Sequence, residues 1–301
     1  MSISLPSLLP ALPSVARLPG PFRCRTLDFW AALCNANEQN CIPLCGKGEE
    51  RVSHEDRQFV EAFARGMQLF EVLSKQKKSM SNSDLARATG MPPSTISRLC
   101  YTAMKMGYLR HSGGGRAYEL TPKTLNLGYS VLSGMALIDR ATPLLKVLAE
   151  KTGQTAGLCV LDKLHVTFVQ VVVGEDLLAV RFAVGGRMPV ATSAAGIAML
   201  SIMPEKERRI LASRIRSELN RHDGNVSAFN ALLQQSINDS GLAFARDIWR
   251  RGIGAVAVGI SSDNELAAIT IPFATGSVSE ANMRSVLAPI LKEAVQELMA
   301  D

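Results

Sequence analysis

Positions 94 to 119 hold the side chains best suited to gripping an anionic polymer. On a helix advancing about 100° per residue, Ser94, Arg98, Tyr101 and Lys105 share one narrow arc, and Thr95 and Ser97 are further polar candidates on the same helix. Ile96, Leu99, Cys100, Ala103 and Met106 fall on the opposite side. The polar arc has two cations, a hydroxyl and an aromatic ring but no carboxylate, a set that donates to phosphates and base edges. An ordinary amphipathic surface helix could look the same, so the flanking sequence has to discriminate.

Upstream, Ser81-Asn82-Ser83-Asp84 has capping-box spacing ahead of Leu85 and Ala86. Gly90 supplies a helix stop, and Pro92 and Pro93 suit the entry to the next helix. Helix, glycine-containing turn, helix is the arrangement whose second helix enters the DNA major groove. Downstream, Gly107 to His111 reads as a strand, Gly113-Gly114-Gly115 as a turn needing positive φ, and Arg116 to Leu120 as the returning strand. Arg110 and Arg116 then flank the tip, as in a wing that grips the backbone beside a recognition helix. The competing reading is a plain hairpin with solvated charges.

The charge distribution favours a polyanion. Residues 1–50 carry 4 Lys/Arg and 4 Asp/Glu, residues 51–140 carry 13 and 7, and residues 141–301 carry 16 and 16. The net charge of +6 therefore sits wholly in the segment that holds the helix and hairpin. A local excess of this kind is an electrostatic footprint. A membrane surface fits less well than double-stranded DNA, because the basic helix has no wide apolar face left for lipid.

The 301-residue chain, 47% hydrophobic, has room for two cores. No stretch reaches the roughly 18 to 20 apolar residues of a membrane span. Six cysteines at this length do not make a disulfide scaffold, and Cys100 and Cys159 read as buried thiols of a reducing cytoplasm. The first 50 residues, with six prolines and four cysteines, read as a poorly ordered extension spanning 1–55. Cys24, Cys34, Cys41 and Cys45 are spaced too loosely, and without histidine, for a convincing zinc site, so no metal is expected. A secretory signal is not expected either, since no positive region precedes the apolar stretch. A native start at an alternative codon, such as that of Val52, is a further reading of this segment.

From Phe59 the pattern becomes regular. Phe59, Phe63, Met67 and Phe70 predict a core-facing helix under the reader, completing a DNA-binding domain over 56–121. Thr121-Pro122 starts another helix, with Leu125, Tyr129 and Leu132 on one face, predicting a linker over 122–141 that packs against a second copy. Thr142-Pro143 repeats the start signal, and a second domain follows over 142–301. There, Ala156 to Leu161 and Val166 to Val173 predict a hairpin, and Leu177 to Val184 is expected to continue the sheet. Helices are predicted over Thr192 to Met203, Pro204 to Leu219 and Ser227 to Asp239. Strands are predicted over Leu242 to Arg246, Ala255 to Ile260 and Ala267 to Phe273. A last helix begins near Ser279, kinked at Pro289. The result is an α+β chain, an antiparallel sheet with helices packed on it, suited to binding a ligand.

Four ordered motifs resemble the isocitrate lyase regulator (IclR) family of bacterial transcription factors. They are Leu85 to Leu99; Gly107-Tyr108-Leu109 with Arg116-Ala117-Tyr118 and Leu125-Asn126-Leu127-Gly128; Val184 to Pro189 with Ser193 and Gly196-Ile197-Ala198; and the pair Gly241 and Gly252. The resemblance covers about 240 residues and implies a winged helix-turn-helix joined to a GAF-like α/β-sandwich effector domain. It also implies homodimers that often pair into tetramers, control by a small-molecule effector, and no cofactor. The matching pocket positions are Thr192, Ser193, Ala194, Ala195 and Thr270, with Arg187 as either a ligand anchor or a structural residue. Where relatives carry polar groups, this chain has Ile197, Ala245 and Ala255, which predicts a more apolar pocket and a larger or aromatic ligand. Ser193 precedes a helix whose first turn, Ala194 to Gly196, is small, so its free N–H groups suit an anionic or hydrogen-bond-accepting atom. Ile197 and Ala255 are expected to face the ligand's apolar body.

Two other classes compete with this reading. An enzyme would need a base near Cys159, but His165 lies across a turn with no Asn or Asp partner evident, and His54, His111 and His222 are isolated. A small-molecule sensor without DNA binding would not need the intact basic helix face.

Overall fold

The computed structural model describes residues 58–300 apart from positions 77, 113, 263 and 264. The expectations for the amino-terminal extension, its four cysteines and Val52 lie outside the described residues.

The first described helix, α1 (Glu61–Lys75), buries Leu69 and Leu73. The expected stripe does not face the core, because Phe59, Phe63 and Met67 are 45%, 69% and 44% exposed. The buried stripe lies roughly a quarter turn away, on the side where the next two helices meet α1, and of the predicted residues only Phe70 packs partly against it. After strand β1 (Met80–Ser81), α2 (Asn82–Thr89) starts with the predicted capping box: Ser81 Oγ accepts from the Asp84 N–H, and the Ser81 N–H donates to the Asp84 carboxylate. Gly90 ends α2 in the left-handed region at φ 71°, a conformation that favours glycine.

Helix α3 (Pro93–Lys105) has proline at its first position and buries Ile96, Cys100 and Ala103. Met106, predicted on the buried side, is exposed just past its end. Strands β2 (Leu109–His111) and β3 (Ala117–Leu120) form the hairpin, with Gly115 at φ 72° in its turn and β1 pairing on the outer side of β3. Leu69, Leu73, Leu85, Met91, Ile96, Cys100, Ala103 and Leu109 make the small core that fixes α3 against the rest.

A 3-10 turn at Pro122–Thr124 leads into α4 (Leu125–Leu132), whose Leu125, Leu127, Tyr129 and Val131 are exposed. Helix α5 (Ala136–Thr152) begins ahead of Thr142-Pro143, so the start signal expected there is overturned. Thr142 Oγ1 donates back to the Ile138 carbonyl, a bond a helix-interior threonine makes, and Pro143 is accommodated inside the helix.

Strands β4 (Ala156–Asp162) and β5 (His165–Val172) form the predicted hairpin around Lys163, whose φ is 54°. The segment Leu177 to Val184 does not continue the sheet. Asp176 folds it back by accepting from Gln154 Nε2 and the Leu178 N–H, and Leu177 is left 98% exposed with no face to bury. The short β6 (Arg187–Pro189) takes the sheet edge, where a proline is tolerated.

Helices α6 (Ala194–Ile202), α7 (Glu205–Arg221) and α8 (Val226–Asn238) follow. Strands β7 (Leu242–Arg246), β8 (Ile253–Ser262) and β9 (Glu265–Ala274) then complete an antiparallel sheet in the order β6-β5-β4-β9-β8-β7. The last helix, α9 (Ala288–Ala300), is preceded by a helical turn capped by Ser279 and a π-helical stretch over Met283–Leu287. That stretch is the irregularity expected near Pro289, whose ring cannot accept a carbonyl four residues back in α-helical position.

Helices cover both faces of the sheet, and the two faces differ in residue size. On one side α5 and α9 pack on Val256, Val258, Ile260, Ile269, Ile271 and Phe273. On the other, α6, α7 and α8 pack on Ala243, Ala245, Ala257 and Ala268. Gly259 lies under α6 so closely that a Cβ would stand 2.6 Å from the Ala198 carbonyl oxygen. The fold is the α+β architecture expected, a winged helix-turn-helix followed by an α/β effector-type domain.

Candidate nucleic-acid interface and effector pocket

The reader is built from α2, α3 and the hairpin. Burial of Ile96, Cys100 and Ala103 turns the opposite face of α3 outward, and Ser94, Ser97, Arg98, Tyr101 and Lys105 are all exposed there, with Thr95 half-buried. The Arg98 guanidinium has no partner among the described residues, so it is free to meet a phosphate or a base edge. Lys105 Nζ lies 5.6 Å from the centre of the Tyr101 ring, a cation–π pair that steadies both side chains. Ser97 is less free than its position suggests. Its Oγ accepts from Asn82 Nδ2 at 2.7 Å and donates to the Pro93 carbonyl at 3.0 Å, tying the start of α2 to α3. Asn82 was not singled out from the sequence, and its partner lies 15 residues away.

The two wing arginines differ. Arg116 is exposed with no partner among the described residues, whereas Arg110 Nε donates to Glu119 Oε1 at 2.6 Å across the hairpin. Arg110 and Glu119 are directly opposed in the β2–β3 register, which pairs their charges. Burial pushes the Cys100 thiol pKa up to about 11, so the cysteine inside α3 is a neutral core residue.

The second site lies where the first turn of α6 meets the sheet. A small cavity is lined by Thr192, Ser193, Ala194, Ala195, Ala255 and Thr270, six of the seven predicted effector residues. Ala245, singled out as a departure from the family pattern, lines it too, with Phe168, Phe182, Met188, Trp249, Ile253, Gly254 and Pro272. A water's centre can occupy only about 30 Å³ of this space, room for a water or two, so a larger guest has to move a wall.

The polar groups are few and specific. Ser193 caps α6, its Oγ accepting from the Gly196 N–H at 3.1 Å, which leaves the N–H groups of Ala194 and Ala195 without partners among the described residues. Thr192 Oγ1 is buried with no hydrogen-bond partner, and Thr270 Oγ1 donates to the Val256 carbonyl while keeping lone pairs to offer. An unsatisfied buried hydroxyl beside a helix start is a polar socket in an otherwise apolar chamber.

Two predicted residues lie elsewhere. Arg187 is not among the cavity's lining residues; its Nη2 donates to Asp162 Oδ2 at 2.7 Å at the sheet edge, and its buried Nε has no hydrogen-bond partner. Ile197, expected to face the ligand, is buried in the core between α6 and the sheet, because Ala194 and Ala195 take the lining positions of that helix. Sequence reasoning missed the aromatic wall. Phe182 sits in the segment misread as a strand, and Trp249 lies in the loop between β7 and β8.

The enzyme candidate finds little support. Cys159 is fully buried, and burial pushes its thiol pKa far up, so it stays protonated where a nucleophile would need to be a thiolate. Among the described residues, no group of three or more His, Cys, Asp or Glu could hold a metal ion. No helix of the described residues is long and apolar enough to cross a membrane.

A winged helix-turn-helix with an exposed basic helix face, joined to an α/β domain with a small apolar pocket, defines a DNA-binding transcriptional regulator. Comparison with known proteins agrees. Residues 129–300 match the family model for the bacterial transcriptional regulator IclR C-terminal domain, and residues 62–113 match the IclR helix-turn-helix domain. The Pca regulon regulatory protein of Pseudomonas putida is 25% identical over 248 residues, covering 81% of this chain and 84% of its own. The crystal structure of an IclR family transcriptional regulator from Brucella abortus is 29% identical, covers 84% of this chain and 96% of its own, and superposes with a TM-score of 0.66. An IclR homologue from Microbacterium hydrocarbonoxydans, crystallised with 4-hydroxybenzoate, shares the fold at 20% identity and a TM-score of 0.62, covering 79% of this chain and 97% of its own. The chain belongs to the IclR family of bacterial transcriptional regulators, and it binds DNA through its helix-turn-helix.

Proposed function

We propose that this chain is an effector-controlled regulator of a catabolic operon, reading a palindromic operator as a homodimer or tetramer and sensing a small aromatic or otherwise largely apolar carboxylate. The observation that carries the ligand class is the chamber itself. Its walls are almost wholly apolar, and its polar groups are the Thr192 and Thr270 hydroxyls and the free N–H groups of Ala194 and Ala195. An anionic head at the start of α6 can take the Thr192 hydroxyl and the N–H groups of Ala194 and Ala195, while an apolar body lies against Ala245, Ala255 and the aromatic wall. The relative found with 4-hydroxybenzoate supports the same class.

On the DNA side, Arg98, Tyr101, Lys105, Ser94, Thr95 and Ser97 form the reading face, and Arg116 and Arg110 hold the backbone. Residues 56–121 form the DNA-binding unit, 122–141 the dimerising linker and 142–301 the effector unit. The exposed apolar side chains of α4 support a second copy packing there, and two copies reading one site require two-fold symmetric DNA. The regulator works in the cytoplasm, where operator and metabolite are both present.

The test joins two assays on the full chain. Gel shifts with upstream intergenic DNA should give a discrete complex that one of a panel of aromatic acids releases or strengthens. The same acid should raise Tm, because a ligand selective for the folded state stabilises it. Binding to a sugar but to no carboxylate would refute the ligand class, and failure to bind any operator fragment would refute the DNA reading.

A further inference from the structure

Four side chains beside the chamber stack in sequence. Phe168 and Phe182 are closely stacked, with ring centres 4.7 Å apart and planes 17° from parallel. Phe182 and Trp249 are 5.8 Å apart and open to 37°, a wedge rather than a closed stack. On Trp249 rests the Arg250 guanidinium, its central carbon 4.7 Å from the ring centre. Phe168, Phe182 and Trp249 all line the cavity.

A flat ring inserted between two others needs about 7 Å between the outer planes, two van der Waals layers of roughly 3.5 Å each. Phe168 and Phe182 are far short of that. The Phe182 and Trp249 centres, 5.8 Å apart, put the planes at least about 1 Å short, and their tilt already opens one side. The segment that carries Trp249 is a loop closed at its base, which Thr275 also holds by donating its N–H to the Gly252 carbonyl and its Oγ1 to Asp247 Oδ1. Asp247 and Gly252 bracket it in the left-handed region at φ 58° and 87°, Asp247 Oδ1 accepts from the Gly252 N–H, and the Asp247 N–H donates to the Ile253 carbonyl. Such a loop can shift as a unit while its base stays in the β7–β8 register.

We propose that the Phe182–Trp249 wedge is a slot for one planar aromatic ring, and that Trp249, backed by Arg250, sets the preference of this regulator for flat over puckered acids. The inference rests on the effector reading above and adds to it the shape of the ligand's body. A planar ring entering the wedge gains a stacking partner on each face, and the Arg250 guanidinium resting on Trp249 steadies that ring. A saturated ring, thickened by its axial hydrogens, forces the wedge further open and stacks on neither face.

The test uses the full chain carrying Trp30→Phe, which leaves Trp249 as its single tryptophan. Benzoate, 4-hydroxybenzoate and 2-naphthoate are compared with cyclohexanecarboxylate by thermal shift and calorimetric titration, and Trp249 emission is recorded in each titration. The slot predicts that at least one aromatic acid binds about tenfold tighter than cyclohexanecarboxylate and changes Trp249 emission. Trp249→Leu should bring the two classes to similar affinity while both still bind. Equal binding of flat and puckered acids, or saturable aromatic binding with unchanged emission, would overturn the slot and leave the carboxylate reading standing. No Tm shift with any of the four acids would overturn both.

Discussion

Arg98→Ala separates recognition from folding most cleanly. Arg98 is exposed in the middle of the polar face of α3, and its guanidinium has no partner among the described residues. Removing it breaks no ion pair and opens no cavity, so stability should stay within about 0.5 kcal/mol of the parent. If the side chain reaches a base edge or a central phosphate, operator binding should weaken by about 1–3 kcal/mol. At 1.4 kcal/mol per decade that is roughly a 5- to 150-fold rise in Kd. Loss of a base contact would also relax sequence preference at one position of each half-site, whereas loss of a phosphate contact would weaken all sequences alike. The assay is fluorescence anisotropy on operator and scrambled duplexes at one fixed salt concentration, beside a thermal melt. Ser97→Ala is the informative contrast. Its hydroxyl is held between Asn82 and Pro93, so its loss should lower Tm more than it alters sequence preference. Parent-like operator affinity in a normally folded Arg98→Ala protein would show that this face of α3 has been misassigned.

The wing, the chamber, the sheet and the first cap each supply a further prediction. Arg116→Ala should flatten the log–log salt dependence of DNA binding by about 0.9 units per lost phosphate contact, and Glu119→Gln, which frees Arg110, should tighten binding a few-fold at low salt; unchanged slopes in anisotropy titrations would mean the hairpin does not touch the backbone. Ala194→Trp should fill the chamber beside the start of α6 and abolish the effector response in gel shifts while DNA binding persists, and a normal response would place the pocket elsewhere. Gly259→Ala brings a methyl to 2.6 Å from the Ala198 carbonyl oxygen and should destabilise by about 1–3 kcal/mol in urea melts, while Gly128→Ala, which meets nothing within 4 Å, should be neutral or mildly stabilising. Asp84 has a carboxyl held below its ordinary value of 3.8, first by hydrogen bonds from the Ser81 side chain and backbone and then by Arg87. Its contribution is therefore fully present above that value and lost as pH falls through the depressed one, so Asp84→Asn should lower Tm at neutral pH, flatten the acid limb of the Tm–pH curve and converge with the parent once pH has fallen through the depressed value.

Local signals carried most of the reader. The Ser81–Asp84 box, the Gly90 stop and the proline at the start of α3 act within a few residues, and each behaves in the fold as its chemistry dictates. Less of α1 was legible. Phe63 and Met67 share a face at helical spacing, but which stripe is buried depends on where α2 and α3 press, which is tertiary information. Thr142-Pro143 failed for a related reason: proline at a helix start and proline tolerated inside a helix leave the same trace in a sequence. In the chamber, the small residues around Ser193 were legible through the family resemblance, and a helix start next to glycine and alanine gives that match a local physical sense. Its aromatic wall was not. Phe182 and Trp249 reach the site from loops 67 residues apart, and an apolar run such as Leu177 to Val184 imitates a strand until Asp176 is seen to bend it away.

The unequal faces of the six-stranded sheet separate two properties that proteins often trade against each other. Along β8 the even positions Val256, Val258 and Ile260 anchor the α5–α9 side, while the odd positions Ala255, Ala257 and Gly259 look toward α6 and the chamber. Along β9 the parity reverses, with Ile269, Ile271 and Phe273 on the anchoring side and Thr270 and Pro272 at the cavity. The strands thus act as a partition: the large aliphatic residues of β8 and β9 lie on one side, and the small residues that shape the chamber lie on the other. A methyl added or removed at position 245, 255 or 270 reshapes the chamber without disturbing the aliphatic layer behind it. A scaffold built this way can change its effector through a few single substitutions, each starting from a protein that still folds.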